Sequence, residues 1–514
     1  MLSSLLRRPR LADLATLLLG GVMTLTFAPF SLWWLGPLAL GCYCAMLNTA
    51  RFRGAFWRGW LFGSGMFVSG ASWVYVSMHT YGDMPLPLAA LVATLFGIGL
   101  ALFCALHGVL YRRLTPRASG LWASASFAGL WVLVSEAFRG WVLTGFPWLL
   151  VGTAHVESPL AGYAPLGGVY LVSLVTALSG ALLYHCLRVR AYPLARLVAA
   201  AGLVALWGIG ALLPRQWAHP IGPPLNVALV QGNLAQETKW EAEGQYQAIE
   251  RYAQLTRRIT HADVIIWPET ALPMWNTQAL PVMQRLQSTL PPHTALMSGM
   301  LTFDNHHAYN SVVALSPADA PAPLQRYYKH HLVPFGEYIP LSSALGPLLN
   351  IMSIPSSSIA SGDDRPAPIT LHSVKLGIAI CYEIIFPELV RERARAADML
   401  VTVSNDTWFG ASLGPLQHMQ MAQMRALENN RYVLRATNNG VTGVVNAEGH
   451  LTATLPQFEP GVLTASAQPM EGLTPYTRAG NWPTLLLAAA MTVAGAVGTR
   501  TIGTRTIGTR RMTR

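Results

Sequence analysis

Only three lysines, Lys239, Lys329 and Lys375, occur among the 514 residues. Acids are scarce as well, with 24 Asp and Glu against 35 Lys and Arg, so that charged residues make up 11% of the chain where soluble domains carry about 25%. With 52% hydrophobic residues and a mean hydropathy of +0.35, the composition excludes an ordinary soluble enzyme. The few charges are unevenly spread. Residues 1–220 contain 14 Arg, no Lys and 4 acids; residues 221–480 contain 16 basic and 20 acidic side chains; residues 481–514 contain 5 Arg and no acid. The net charge of +11 therefore lies wholly outside the middle of the chain. A nucleic-acid-binding surface, which gathers basic and aromatic residues on one folded face, is not indicated. Cysteine is also sparse, and Cys42, Cys44, Cys104 and Cys186 lie in apolar runs, which excludes a disulfide framework. Cys42 and Cys44 lack the spacing of a redox motif and read as small fillers of a membrane helix.

What the sequence has instead is long apolar runs. A bilayer core takes about 20 helical residues, and seven such runs lie near 11–28, 31–48, 59–78, 87–110, 119–138, 160–187 and 197–213, with a shorter eighth at 482–498. A cleaved signal peptide is the alternative for the first, since Arg7, Arg8 and Arg10 precede it, but that run ends Phe27-Ala28-Pro29-Phe30 without a small-x-small site. Cytoplasmic connections are enriched in Lys and Arg. Arg7, Arg8 and Arg10, then Arg51, Arg53 and Arg58, then Arg112, Arg113 and Arg117, then Arg188, Arg190 and Arg196 occupy alternate connections, whereas Arg139 alone marks the others. The alternation predicts a cytoplasmic N-terminus, a middle domain outside, and an eighth crossing that returns the Arg-rich tail to the cytoplasm. That tail repeats TIGTR and reads as a disordered basic end. Glu136 and Arg139, three residues apart near the outer end of a predicted helix, read either as functional intramembrane charges or as an interfacial ion pair.

Three divisions follow: membrane helices 1–7 in residues 1–220, an α/β domain in 221–480, and helix 8 with its tail in 481–514. Strands are predicted at 225–232, 262–269, 294–301, 310–317, 374–381, 397–405 and 439–446, and helices at 241–259, 387–396 and 416–433. Within this domain Cys381 closes the apolar strand VKLGIAIC, Glu269 ends VIIWPE, and Lys329 sits in RYYKHHLVPFGEY. A thiol is a poor nucleophile until a neighbouring base or cation favours the thiolate. A carboxylate can take its proton, and an ammonium can stabilise both the thiolate and the oxyanion that follows. Taken singly, each of the three also reads as an ordinary packed or solvated strand end.

WPET at 267–270, YYKHHLVPFGEY at 327–338, GIAICYEIIFPE at 377–388 and MRALENNRYVLRATNNG at 424–440 resemble, in this order, the nitrilase superfamily. Membrane helices on both sides, with QGNLAQETKW at 231–240 and SNDTWFG at 404–410, extend the resemblance to the apolipoprotein N-acyltransferase family over essentially the whole chain. The resemblance implies an αββα sandwich on the outer face of a bacterial inner membrane, with Glu269, Lys329 and Cys381 as the catalytic triad. It implies transfer of a fatty acyl chain, by way of a thioester on Cys381, from a phospholipid such as phosphatidylethanolamine to the amino group of a diacylglyceryl-cysteine at the N-terminus of an apolipoprotein. Neither a metal nor a cofactor is needed. Lys329 and the backbone N–H after Cys381 would hold the oxyanion. Glu337 would orient Lys329, and Trp240, Tyr382 and Glu383 would shape the pocket or support intermediates, with ordinary sandwich packing as the alternative. Asn405 and Trp408 are expected in the pocket wall. His330 and His331 lack the carboxylate or cysteine partners of a metal site. The apolar stretch 341–358 reads as a lid or membrane-dipping arm, or as a plain surface loop.

Two other readings share some of these features. A membrane-tethered amidase would use the same triad and let water resolve the thioester. A transporter or scaffold with a ligand-binding outer domain would need no reactive Cys381.

Overall fold

A computed structural model describes residues 9–116, 121–187, 193–339 and 359–511, with side chains up to residue 499. Arg7, Arg8, Arg117, Arg188, Arg190, Arg514 and the stretch 341–358 lie outside the described residues. Two compact units emerge, one formed by Met1–Arg215, Ala411–Gln420 and Arg478–Arg514, the other by Gln216–Gly410 and Met421–Thr477.

The first unit is helical. Among the described residues four helices are long and apolar enough to cross a membrane: Leu86–Leu114, Pro159–Leu187, Pro193–Leu212 and Trp482–Thr499. The remaining apolar runs form shorter or interrupted helices. Pro9–Thr24 and Leu35–Thr49 have 16 and 15 residues. The third run stops at Gly70 and restarts as Trp73–His79. The fifth changes from an α-helix, Trp122–Leu130, to a π-helix, Trp131–Phe138. Glycines let these helices approach closely, as small residues do in membrane bundles. A Cβ on Gly63 would lie 2.7 Å from the Ala101 Cα, so Phe52–Gly70 packs on Leu86–Leu114 almost backbone to backbone. The TIGTR repeats depart from the expected disorder: the last helix runs unbroken from Trp482 to Arg511. Its apolar N-terminal half supplies the nucleus, after which each added residue gains a backbone hydrogen bond. Glu136 and Arg139 are both buried and act on the chain that follows them. Glu136 Oε1 accepts from the Val151 N–H at 2.8 Å, and Arg139 donates to the carbonyls of Ser135, Phe146 and Trp148, which binds segment 139–151 to the π-helix.

The second unit is a two-sheet sandwich. Its strands are β1 His219–Pro220, β2 Leu225–Gln231, β3 Val264–Ile266, β4 Ala295–Asp304, β5 His307–Leu315, β6 Gln325–Tyr328, β7 Ile369–Leu371, β8 Val374–Ile380, β9 Met399–Ser404, β10 Val433–Thr437, β11 Gly443–Val445, β12 Leu451–Thr454, β13 Gly461–Ala467 and β14 Met470–Glu471. One sheet has the order β13-β2-β3-β4-β5-β6 and the other β12-β11-β10-β9-β8-β7, while β1 and β14 form a small ribbon. In both sheets three central strands, β2-β3-β4 and β8-β9-β10, run parallel, and antiparallel strands flank them. Strands buried on both faces need continuous apolar runs, which is why VIIW and MLVTV show no alternation. Val227, Leu229, Ile266, Met297, Ile378, Ile380, Val401 and Val403 meet between the sheets. A second core, which includes Tyr252, Trp267 and Met283, packs helices Ala242–Arg257 and Asn276–Gln287 on the outer face of the first sheet. Helix Pro387–Arg395 covers β8 and β9.

The expected helix at 416–433 and strand at 439–446 need correction. The helix is Gly414–Asn429, and Asn430, at φ +48°, ends it in the left-handed conformation while the Arg431 N–H reaches back to the Ala426 carbonyl. A whole strand, β10, then follows, and the later strand shrinks to β11.

Candidate active site

Three residues singled out from the sequence stand just beyond three strand ends. Glu269 follows β3 by three positions, in a turn that passes so near β4 that a Cβ on Gly299 would lie 2.6 Å from the Glu269 Cα. Only glycine fits there. Lys329 directly follows β6, its N–H donating to the Asn310 carbonyl at 2.8 Å. Cys381 directly follows β8 and opens a short 3-10 helix, Cys381–Ile385, with φ +52°. A β-carbon is disfavoured in that region, and strain of this kind collects at functional sites.

The charged side chains converge. Lys329 Nζ lies 3.0 and 2.9 Å from the two carboxylate oxygens of Glu337 and 3.7 Å from Glu269 Oε1. Lys329 is 1% exposed, which alone would pull its pKa down; Glu337 and Glu269 outweigh burial and hold the ammonium above its ordinary value. Glu337 Oε2 also accepts the Val333 N–H at 2.8 Å, closing the loop that carries both residues. Glu269 Oε2 accepts the Asn405 N–H at 2.8 Å, and Oε1 accepts from Asn310 Nδ2 at 2.7 Å. Burial pushes the Cys381 thiol well up, the Glu269 carboxylate pushes it further, and Lys329 opposes both. At neutral pH the sulfur therefore keeps its proton and needs a base to lose it.

Glu383, expected to shape the pocket or support intermediates or else to pack as ordinary structure, is engaged by protein donors. Its side chain is wholly buried and accepts four protein hydrogen bonds: His330 N–H at 2.8 Å and His331 N–H at 3.0 Å on Oε1, Tyr327 O–H at 2.8 Å and Ile380 N–H at 2.7 Å on Oε2. It fastens the lysine loop to the cysteine turn. Tyr382 is buried beside it, its ring 5.1 Å from Phe386 and 6.0 Å from His331. His330 Nδ1 lies 2.9 Å from the Gly362 carbonyl. Asn405 is buried, and its side chain joins Gln236 to Thr407; the adjoining Asp406 forms a buried ion pair with Arg435 at 2.7 Å. Trp240 and Trp408, in the loops that carry Gln236 and Asn405, are 48% and 42% exposed.

Two residues at the site carried no assignment from the sequence. Asn310, a lone amide inside the strand YNSVVAL, touches both Glu269 and Glu337. Lys239 is buried and donates to Thr270 Oγ1 at 2.9 Å, where Thr270, next to Glu269, adopts φ +44°. Burial draws the Lys239 ammonium down to about 8, with Glu269 resisting. Because the folded value lies below the unfolded one, the charge destabilises the fold in full below pH 8, and that penalty fades as pH rises towards 10.5. The substitution K239M is thus expected to raise the melting temperature at pH 7, by a free energy on the order of 3 kcal/mol, and melts at pH 7 and 9.5 should show the gain shrinking. No gain at pH 7 would contradict this account.

Comparison with known proteins bears on both units. A family model described as carbon-nitrogen hydrolase matches residues 226–475, and one described as apolipoprotein N-acyltransferase N-terminal domain matches residues 19–182. The chain is 42% identical over 489 residues to the apolipoprotein N-acyltransferase of Azotobacter vinelandii, covering 93% of each protein. It is 41% identical over 488 residues to that of Pseudomonas putida, covering 93% of this chain and 95% of the relative. Among solved structures, Saccharomyces cerevisiae Nit3, a member of branch 10 of the nitrilase superfamily, aligns with 49% of this chain and 93% of its own at 18% identity and a TM-score of 0.38.

Proposed function

The chain belongs to the apolipoprotein N-acyltransferase family, and we propose that it moves a fatty acyl chain from a phospholipid to the α-amino group of a diacylglyceryl-cysteine by way of a thioester on Cys381. Glu269 takes the thiol proton, and the sulfur attacks the acyl ester carbonyl. Lys329 offsets the negative charge on the thiolate and then on the tetrahedral oxyanion. As the ester C–O bond breaks, Glu269 returns its proton to the leaving oxygen, and the lysophospholipid departs. The acceptor amine then attacks the thioester. Glu269 takes a proton from the amine, the C–S bond breaks, and an amide and the free thiol result once that proton passes to sulfur. The observation that supports this reading best is the set of distances around Lys329 and Glu269, an ammonium and a carboxylate whose charges both act on a thiol that burial raises.

The same reading puts the catalytic domain, residues 221–480, outside the cytoplasm of a bacterial cell, after seven crossings and before an eighth. The alternation of arginines supports that orientation. Both substrates are lipids, and a site above the outer face of the inner membrane would receive acyl chains without their leaving hydrocarbon.

Mass spectrometry of the purified protein in detergent with phosphatidylethanolamine tests the proposal. An acyl adduct on Cys381 that discharges to a diacylated lipopeptide is expected, and C381A should form none. Discharge to water at a comparable rate would favour an amidase, and absence of any adduct would defeat both enzymatic readings.

A further inference from the structure

Asn310 sits in β5, one residue before the stretch of that strand that pairs with β6. The ladder places its carbonyl on the Lys329 N–H at 2.8 Å. Its side-chain amino group reaches Glu269 Oε1 at 2.7 Å and Glu337 Oε1 at 2.8 Å, so one residue contacts both carboxylates and the backbone of Lys329. The amide is 5% exposed, and its own oxygen, Oδ1, is buried without a hydrogen-bond partner among the described residues. Leaving a buried carbonyl oxygen unmatched costs about 1–3 kcal/mol. The side chain is therefore oriented by its two N–H groups, at the expense of its acceptor.

We infer that Asn310 is a positioning residue that keeps Glu269 available as the base by bridging it to Glu337. Glu269 and Glu337 share the Asn310 amino group in a buried site where Lys329 and Lys239 supply the positive charge. Lys329 gives its two short contacts to Glu337 and stands 3.7 Å from Glu269. Both short bonds to the Glu269 carboxylate come from neutral donors, Asn310 Nδ2 and the Asn405 N–H. A carboxylate bound closely by an ammonium is a weak base, whereas one held by neutral amides keeps more of its proton affinity. When Glu269 takes the proton of Cys381, negative charge moves to sulfur, where Lys329 opposes it, and the Asn310 amino group still has the Glu337 carboxylate to bond.

The inference rests on the assignment of Glu269 as base, but its test does not require acyl transfer. The probe is the rate of Cys381 alkylation by iodoacetamide as a function of pH, read on the Cys381 peptide in wild type, N310D and N310A. N310D has nearly the same shape and replaces the bridging donor by a third carboxylate. Its alkylation profile is expected to move up by at least one pH unit, with the rate at pH 7.5 at least tenfold lower. N310A leaves the two glutamates unbridged and should also shift the profile upward, by less. Thermal melts identify a variant that has failed to fold, and N310A then decides if N310D is lost. Profiles that match wild type in a folded variant would overturn the inference. An upward shift without any acyl adduct in wild type would uphold the inference and sink the proposed reaction.

Discussion

E269Q is expected to lower the rate of acyl-thioester formation on Cys381 by about 10²–10⁴-fold, the usual contribution of a positioned general base. The expectation follows from the state of the thiol. Burial and the nearby Glu269 charge both raise its proton affinity, and Lys329 only partly offsets them. A sulfur that stays protonated at pH 7 must pass its proton to a base, and the Glu269 carboxylate, whose charge acts on the thiol, is bonded to two neutral donors. Removing the Glu269 charge should also make the thiol more acidic, because that charge is among the causes that raise it. The two effects have opposite signs. E269Q should be alkylated by iodoacetamide at lower pH than wild type while it acylates far more slowly. Rapid-quench mass spectrometry with phosphatidylethanolamine measures the second quantity and pH-dependent alkylation the first. Acylation within tenfold of wild type would remove Glu269 from the role of base.

The strand ends at Glu269 and Cys381 were readable in the sequence because both close runs of apolar residues that only a sheet buried on two faces requires. Lys329 was readable only through the motif around it, since β6 has four residues and no apolar run. Strand β10 escaped because its residues continue the pattern of the preceding helix without a glycine or proline; the break is made by Asn430, whose left-handed conformation propensity alone does not announce. Asn310 escaped for another reason. A single amide in a strand reads as a local irregularity, and its meaning depends on two carboxylates 41 residues before and 27 residues after it. Glu383 is legible only through the resemblance, which implies a place in the pocket or a supporting role. Three of its four donors come from Tyr327 and the loop after it, 52 to 56 residues earlier, which no spacing rule connects to it.

That placement makes Glu383 a side chain whose loss should harm the sandwich severely. In E383A the N–H groups of Ile380, His330 and His331 and the Tyr327 hydroxyl would lose their acceptor, the Ile380 and Tyr327 donors being fully buried and the two histidine N–H groups half-buried. An orphaned buried donor costs about 1–3 kcal/mol, so four of them, even partly relaxed, reach on the order of 5 kcal/mol, a large share of the 5–15 kcal/mol that holds a typical domain together. The damage would fall on the joint between the elements that carry Lys329 and Cys381. The lysine loop would no longer be fastened to the turn that keeps Cys381 at φ +52°, and the strained turn would be free to relax. E383Q keeps the volume but presents an amino group to two of the four donors, so it should fall between wild type and E383A. The expected order of melting temperature in detergent is wild type, E383Q, E383A, with Cys381 acylation lost in the same order. An E383A protein that melts with wild type would show that these four donors find other partners, and the fastening role would then have to be abandoned.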